Sequence, residues 1–166
     1  MPTYSIVGPM RRLNSNDPPP PAFRSEIFEV SSTYLHERRS PDDSNARCYH
    51  LVEHSKSRRT IGYVSLNLHR EALGGSGSIG WIEVRQIYIK ESLRGRGLSH
   101  YLLNEVIIRS KAWIKIQLDD LSGKKILEVR LVANIATEDG QRFLEKVDAA
   151  IKQYCKSRVR YSSCYD

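Results

Sequence analysis

Residues 87–103, IYIKESLRGRGLSHYLL, run from a β-branched apolar stretch through a turn with two glycines and two arginines into an apolar stripe of helical spacing. Few folds accommodate that succession. Leu98, Leu102 and Val106 recur every four residues, and Tyr101, Leu103 and Ile107 widen the stripe, which predicts a helix with one face on a core. The first N–H groups of such a helix have no intrahelical acceptor and carry the positive end of its dipole. Gly95 and Gly97 let a ligand approach the backbone closely, and Arg94 and Arg96 add charge, so the turn is a candidate cradle for an anion such as a pyrophosphate.

The rest of the chain sets this unit in a mixed α/β pattern. CYHLVEH and RTIGYVSLNLHR carry β-branched and aromatic residues in alternation and predict two adjacent strands joined through SKSRR. A glycine-rich loop, ALGGSGSIG, ends at Gly80, and WIEVRQIYIK at 81–90 predicts the next strand. Its alternation puts Ile82, Val84, Gln86 and Tyr88 on one face, with Glu83, Arg85, Ile87 and Ile89 on the other. After the long helix, KILEVRLVANI at 125–135 is the strongest strand. Thr137 caps a second helix whose apolar positions run from Phe143 and Leu144 through Val147 to Tyr154. The tail KSRVRYSSCYD alternates as an edge strand. Residues 25–40 fit a strand or a short helix, and DPPPP marks residues 1–24 as a proline-rich arm leading into a domain over 25–166.

Composition narrows the function classes. At 166 residues the chain is long enough to bury a core as one domain. Its 26 basic against 19 acidic residues give a net charge of +7, which favours acidic partners without specifying one. Three scattered cysteines and five scattered histidines offer neither a disulfide framework nor zinc-ligand spacing, so no metal site is expected. No run approaches the roughly 18 apolar residues of a membrane span, and the N-terminus lacks a secretory signal. The expectation is a cytoplasmic protein.

Neither GxxxxGK[ST] nor GxGxxG is present, which sets aside two well-known phosphate loops. Arg94-Gly95-Arg96-Gly97-Leu98-Ser99 instead resembles the [Q/R]-x-x-G-x-[G/A] turn of the GNAT superfamily, the acyl-CoA-dependent N-acyltransferases. The context is similar as well, with Ile87-Tyr88-Ile89 upstream, a long amphipathic helix downstream, then LEVRLVAN and another helix. The likeness spans roughly residues 48–155. It implies a central twisted, mostly antiparallel sheet with one parallel strand pair and helices on both faces.

It also implies acetyl-CoA as cofactor. The amides of Gly95, Arg96, Gly97, Leu98 and Ser99 would hold its pyrophosphate, with Arg94 and Arg96 at the rim, while Ile87 and Ile89 would pair with the pantetheine arm and Asn134 would flank it. Amine acetylation needs a base, because an ammonium has no lone pair to attack with. The resemblance favours Glu83 for that role, though Glu83 also fits a surface pair with Arg85 or Arg130. Leu144 stands where the family often has the tyrosine that protonates the departing thiolate, which leaves Tyr88, Tyr154, Tyr161 or water. The family's glycine-phenylalanine ending is also missing.

Two functions follow as expectations. One is direct acetyl transfer to a primary amine, most plausibly on a protein or other macromolecule. The other is a catalytically weak or inactive GNAT-fold binding protein. Lys152, Lys156, Arg158 and Arg160, interleaved with tyrosines, fit either a solvated face or a contact with an acidic protein or nucleic acid.

Overall fold

The computed structural model describes residues 3–11, 47–54, 59–72, 77–121, 126–133, 137–155 and 159–165. Among them are strands β1 (Thr3–Arg11), β2 (Arg47–His54), β3 (Arg59–Ala72) and β4 (Gly77–Ile89). A single 3-10 turn at Glu91–Leu93 leads to helix α1 (Ser99–Asp120), then β5 (Ile126–Ala133), α2 (Glu138–Tyr154) and β6 (Val159–Tyr165). The strands form one six-stranded sheet in sequence order. β1 to β4 pair antiparallel, whereas β4–β5 and β5–β6 are parallel. Parallel neighbours need a crossover, and α1 and α2 supply them.

The mixed α/β sheet and its parallel pair agree with the sequence, and several particulars differ. A second parallel pair exists because α2 carries the chain back before β6. Right-handed crossovers stepping the same way along a sheet leave their helices on the same face. Accordingly α1 and α2 pack against each other, and Leu102, Val106 and Ile114 of α1 share one core with Phe143, Leu144, Val147 and Ile151 of α2. The described helices therefore cover one face of the sheet rather than both. Residues 3–11, read from sequence as part of an arm, are an edge strand, tied to α1 where Tyr4 meets Tyr101 at 5.9 Å. The proline stretch itself lies outside the described residues. Gly77 to Gly80, assigned from sequence to a loop, open β4 and already pair with β5.

The local chemistry explains the ends of α2. Thr137 Oγ1 accepts the Gly140 N–H, and Glu138 and Asp139 place negative charge at the positive end of the dipole. Gly80 has a packing reason. A Cβ there would lie 2.6 Å from Cη2 of Trp113, so the α1 indole occupies the space a side chain would need. At the far end of α2, burial pushes the Cys155 thiol up to about 11.

Two outcomes follow. Gly80→Val should cost about 1–3 kcal/mol through overpacking against Trp113, read as a fall in Tm of several degrees; an unchanged Tm would mean the indole moves aside freely. At pH 8, far below its raised pKa, Cys155 should hold little thiolate. Iodoacetamide followed by peptide mass mapping should then label the exposed Cys164 well before Cys155.

Candidate active site

The site is organised by one irregularity in β4. Leu66 of β3 faces Val84 and Ser65 faces Gln86, so Arg85 is the extra residue of a β-bulge. Side chains alternate strictly along a strand, and an inserted residue reverses their phase beyond it. Before the bulge, Gly80, Ile82 and Val84 face α1; after it, Ile87 and Ile89 do. Trp81, Glu83, Gln86 and Tyr88 share the opposite face, where Glu83 meets Asn67 and Tyr88 stacks on Tyr63 at 5.8 Å. The sequence expectation placed Glu83 and Tyr88 on opposite faces. The bulge brings both catalytic candidates to the same one, and it puts Ile87 and Ile89 on the other.

Among the described residues the parallel register of β4 with β5 runs to Val84↔Ala133, and β4 continues along β3 to Ile89. Lys90 donates its N–H to Ile61 O, which fixes the alternation of the backbone. Tyr88 and Gln86 direct their amide groups at β3, so Ile87 and Ile89 direct theirs away from β3, toward the β5 side. Arg94 Nε already donates to Ile89 O at 3.0 Å, and its guanidinium lies 5.8 Å from the Tyr88 ring centroid. Arg94 thus buttresses the strand end. Among the described residues the Ile87 peptide groups and the Ile89 N–H have no backbone partner.

Directly after this edge comes the glycine turn. Gly95 and Gly97 hold φ of +73° and +74°, the left-handed region where a side chain is strained, and a Cβ at either would meet nothing within 4 Å. His100 and Tyr101 donate their N–H groups to Gly97 O and Leu98 O. The amides of residues 95–99 have no backbone acceptor among the described residues. These groups, exposed beside Arg96, fit a phosphate ester. Sequence reasoning missed His100, whose Nδ1 donates to Gly97 O at 2.5 Å and braces the turn from within α1.

On the opposite face, three donors converge on Glu83 Oε2: Asn67 Nδ2 at 3.0 Å, Arg85 Nε at 3.0 Å and Arg85 Nη2 at 2.9 Å. Asn67 is 1% exposed and so holds the carboxylate from a fixed position. The Glu83 and Arg85 side chains keep about a quarter of their surface. Neighbouring Trp81 is flanked by His69 at 6.0 Å and by the Arg130 guanidinium at 5.2 Å, with Arg130 bridged to Glu128 at 2.6 Å. Arg130 is therefore committed elsewhere, and the pair weighed from sequence resolves to Glu83–Arg85. The bulge left one trace in sequence, since the apolar positions of β4 switch from even to odd numbers across Arg85-Gln86.

Other candidates separate from this cluster. Leu144, at 3% exposure, is a core side chain. Tyr161 donates to Asp148 Oδ1 at 2.6 Å, and burial together with that carboxylate raises its phenol well above its ordinary range. Tyr154 ends α2 under Lys111, and α2 starts from the Ala133 end of β5, so Tyr154 lies about 25 Å along the helix from that end. Lys152 lies on α2, whereas Arg160 sits across from Glu128 on the other face of the sheet, so these two do not form one basic patch. Lys156, Arg158 and Asn134 lie outside the described residues. Among the described residues no cluster of metal-ligating side chains occurs, and no helix is long and apolar enough to cross a membrane.

The model of the acetyltransferase (GNAT) family matches residues 10–121, well over half of the chain. No curated protein matches the sequence significantly. Among solved structures, AtaT complexed with acetyl-methionyl-tRNAfMet is similar at 16% identity over 89% of this chain and 85% of that one, with a TM-score of 0.48. The KacTA–DNA complex is similar at 15% identity over 89% and 83%, TM-score 0.47. A Trypanosoma brucei acetyltransferase is similar at 16% over 89% and 91%, TM-score 0.45. Likeness at that level carries nothing about substrate. The family match spans the bulged strand, the glycine turn and the helix that follows it, and on that ground the chain belongs to the GNAT family of acetyltransferases.

Proposed function

We propose that this chain is an acyl-CoA-dependent N-acetyltransferase that moves an acetyl group from acetyl-CoA to a primary amine on a protein or other macromolecule. The observation that carries this reading is the anion-ready turn, with open glycines at Gly95 and Gly97, at the end of the strand that holds the Glu83 carboxylate. Acetyl-CoA supplies the activated acetyl group as a thioester. The amides of Gly95 to Ser99 and the side chain of Arg96 would hold its pyrophosphate, and the open glycines fit that demand. The Ile87 and Ile89 backbone would align its pantetheine arm, and an amide there would polarise the thioester carbonyl.

Glu83 removes the proton from the attacking amine, directly or through one water. Transfer is direct in this reading. Cys155 holds its proton up to about 11. Cys164 shares a row with Val132 and Glu83 but stands two strands away, about 10 Å at the usual strand spacing and beyond proton-transfer reach. Tyr88, on the face of Glu83, takes the role of proton donor to the leaving thiolate in place of the family's tyrosine. One observation favours a second reading, a GNAT-fold binder with weak or no catalysis: Leu144 is packed into the core and cannot donate a proton.

Thiol release from acetyl-CoA, followed across a panel of primary amines, tests the first reading. Glu83→Gln should lower kcat by about 10²–10⁴-fold near neutral pH, the usual contribution of a general base. The deficit should shrink toward pH 10, where a primary amine loses its own proton. A variant as fast as the native chain would remove Glu83 from the mechanism, and no turnover of any amine would favour the binder.

A further inference from the structure

We propose that His69 is a positioning residue for the base, acting on Glu83 through the side-chain amide of Asn67, and that a proton on His69 withdraws this amide from the carboxylate. The inference rests on Glu83 being the base. Asn67 Nδ2 lies 3.0 Å from Glu83 Oε2 and 3.4 Å from His69 Nδ1. An amide nitrogen only donates and an ionised carboxylate only accepts, so Nδ2 gives one hydrogen to each neighbour. His69 Nδ1 is then the acceptor, the ring proton sits on Nε2, and the imidazole is neutral in this arrangement.

The other end of the same amide is unpaired. Asn67 Oδ1 is buried and has no hydrogen-bond partner among the described residues. A buried acceptor without a donor is costly. A proton on His69 Nδ1 supplies a donor, and it also sets Nδ1–H against Nδ2–H. Both effects favour turning the amide until Oδ1 accepts from the imidazolium, a charge-assisted bond. The turned amide fits nearly the same space, because its oxygen and its NH2 group are close in size and the last Asn torsion is two-fold. It now sets an oxygen against Glu83 Oε2. The Asn67–Glu83 bond is lost, and the carboxylate gives up its support from a side chain that is 1% exposed. Arg85 keeps its bonds to Oε2 throughout.

The surroundings leave this role to the imidazole. Its ring stacks on Trp81 at 6.0 Å. The charged side chains around it on this face are Glu71, two residues further along β3, Glu83 and Arg85 on β4, and Glu128 and Arg130 on β5. Each of those arginines is bonded to one of the carboxylates. Arg70 reaches Asp120 of α1 on the opposite face. Histidine is the side-chain type that changes charge between about pH 5 and 8.

Side-chain NMR across that range tests the switch. The Asn67 NH2 signals, assigned by their loss in Asn67→Leu, should shift in step with the His69 ring and stay constant in His69→Gln, whose amide oxygen can accept from Nδ2 without titrating. Turnover of a primary amine gives the second readout. The ratio of His69→Gln to native kcat cancels the ionisation of the amine itself. It should lie near one at about pH 8 and rise to roughly fivefold at about pH 5, the usual worth of one hydrogen bond, with KM equal in both. His69→Phe, which keeps a ring on Trp81, should likewise escape the native loss at acid pH; thermal melts confirm folding of each variant. Asn67 signals that ignore the His69 titration, or a flat kcat ratio, would overturn the proposal. Turnover with a flat ratio sinks this inference alone. Coupled signals without turnover of any amine remove the transferase reading, and the role of His69 with it.

Discussion

The bulge at Arg85 reverses the side-chain phase of β4, and the organisation of the site depends on that reversal. Without it, Glu83 would share a face with Ile87 and Ile89, and a charged side chain would be turned onto the core that α1 covers. With it, Ile82 and Val84 before Arg85 and Ile87 and Ile89 after it all reach the core, and Glu83, Gln86 and Tyr88 gather on the other face. The same strand runs on to Ile89, so its backbone at Ile87 and Ile89 lies close in sequence to the turn at Gly95 and Gly97. Polar side chains and a glycine turn are thereby brought to one end of the strand.

Charge is handled locally at this end. Arg94 is spent on Ile89 O and the Tyr88 ring, Arg130 on Glu128 and Trp81, and Arg85 on Glu83. Each of these three arginines thus has a local partner, in a chain whose net charge is +7. Of these arginines, Arg85 is the one bonded to the Glu83 carboxylate.

How much was legible in the sequence depends on how local the determining interaction was. Strands at 48–54 and 59–70, the helix from Leu98 and the cap at Thr137 were readable, because alternation, helical spacing and capping act within a few residues. The glycine turn was readable for the same reason, since positive φ at Gly95 and Gly97 is a property of the turn itself. The faces of β4 were not, because a strict two-residue period was carried across Arg85-Gln86, where the apolar positions had already changed parity. Strand β1 was hidden because its partner strand starts 36 residues after it ends, Arg11 to Arg47, and the prolines after it read as a spacer. Asn67 was invisible for a like reason: it approaches Glu83 only through the β3–β4 register.

The central claim is that the turn from Arg94 to Ser99 holds the phosphates of acetyl-CoA, and calorimetric titration of the native chain and of Gly97→Glu with acetyl-CoA tests it most directly. The account predicts saturable binding by the native chain. It also predicts that Gly97→Glu loses this binding, because the new carboxylate repels phosphate at the helix start and its side chain strains a backbone held at φ +74°. Absence of binding by the native chain, or equal binding by both proteins, would contradict it.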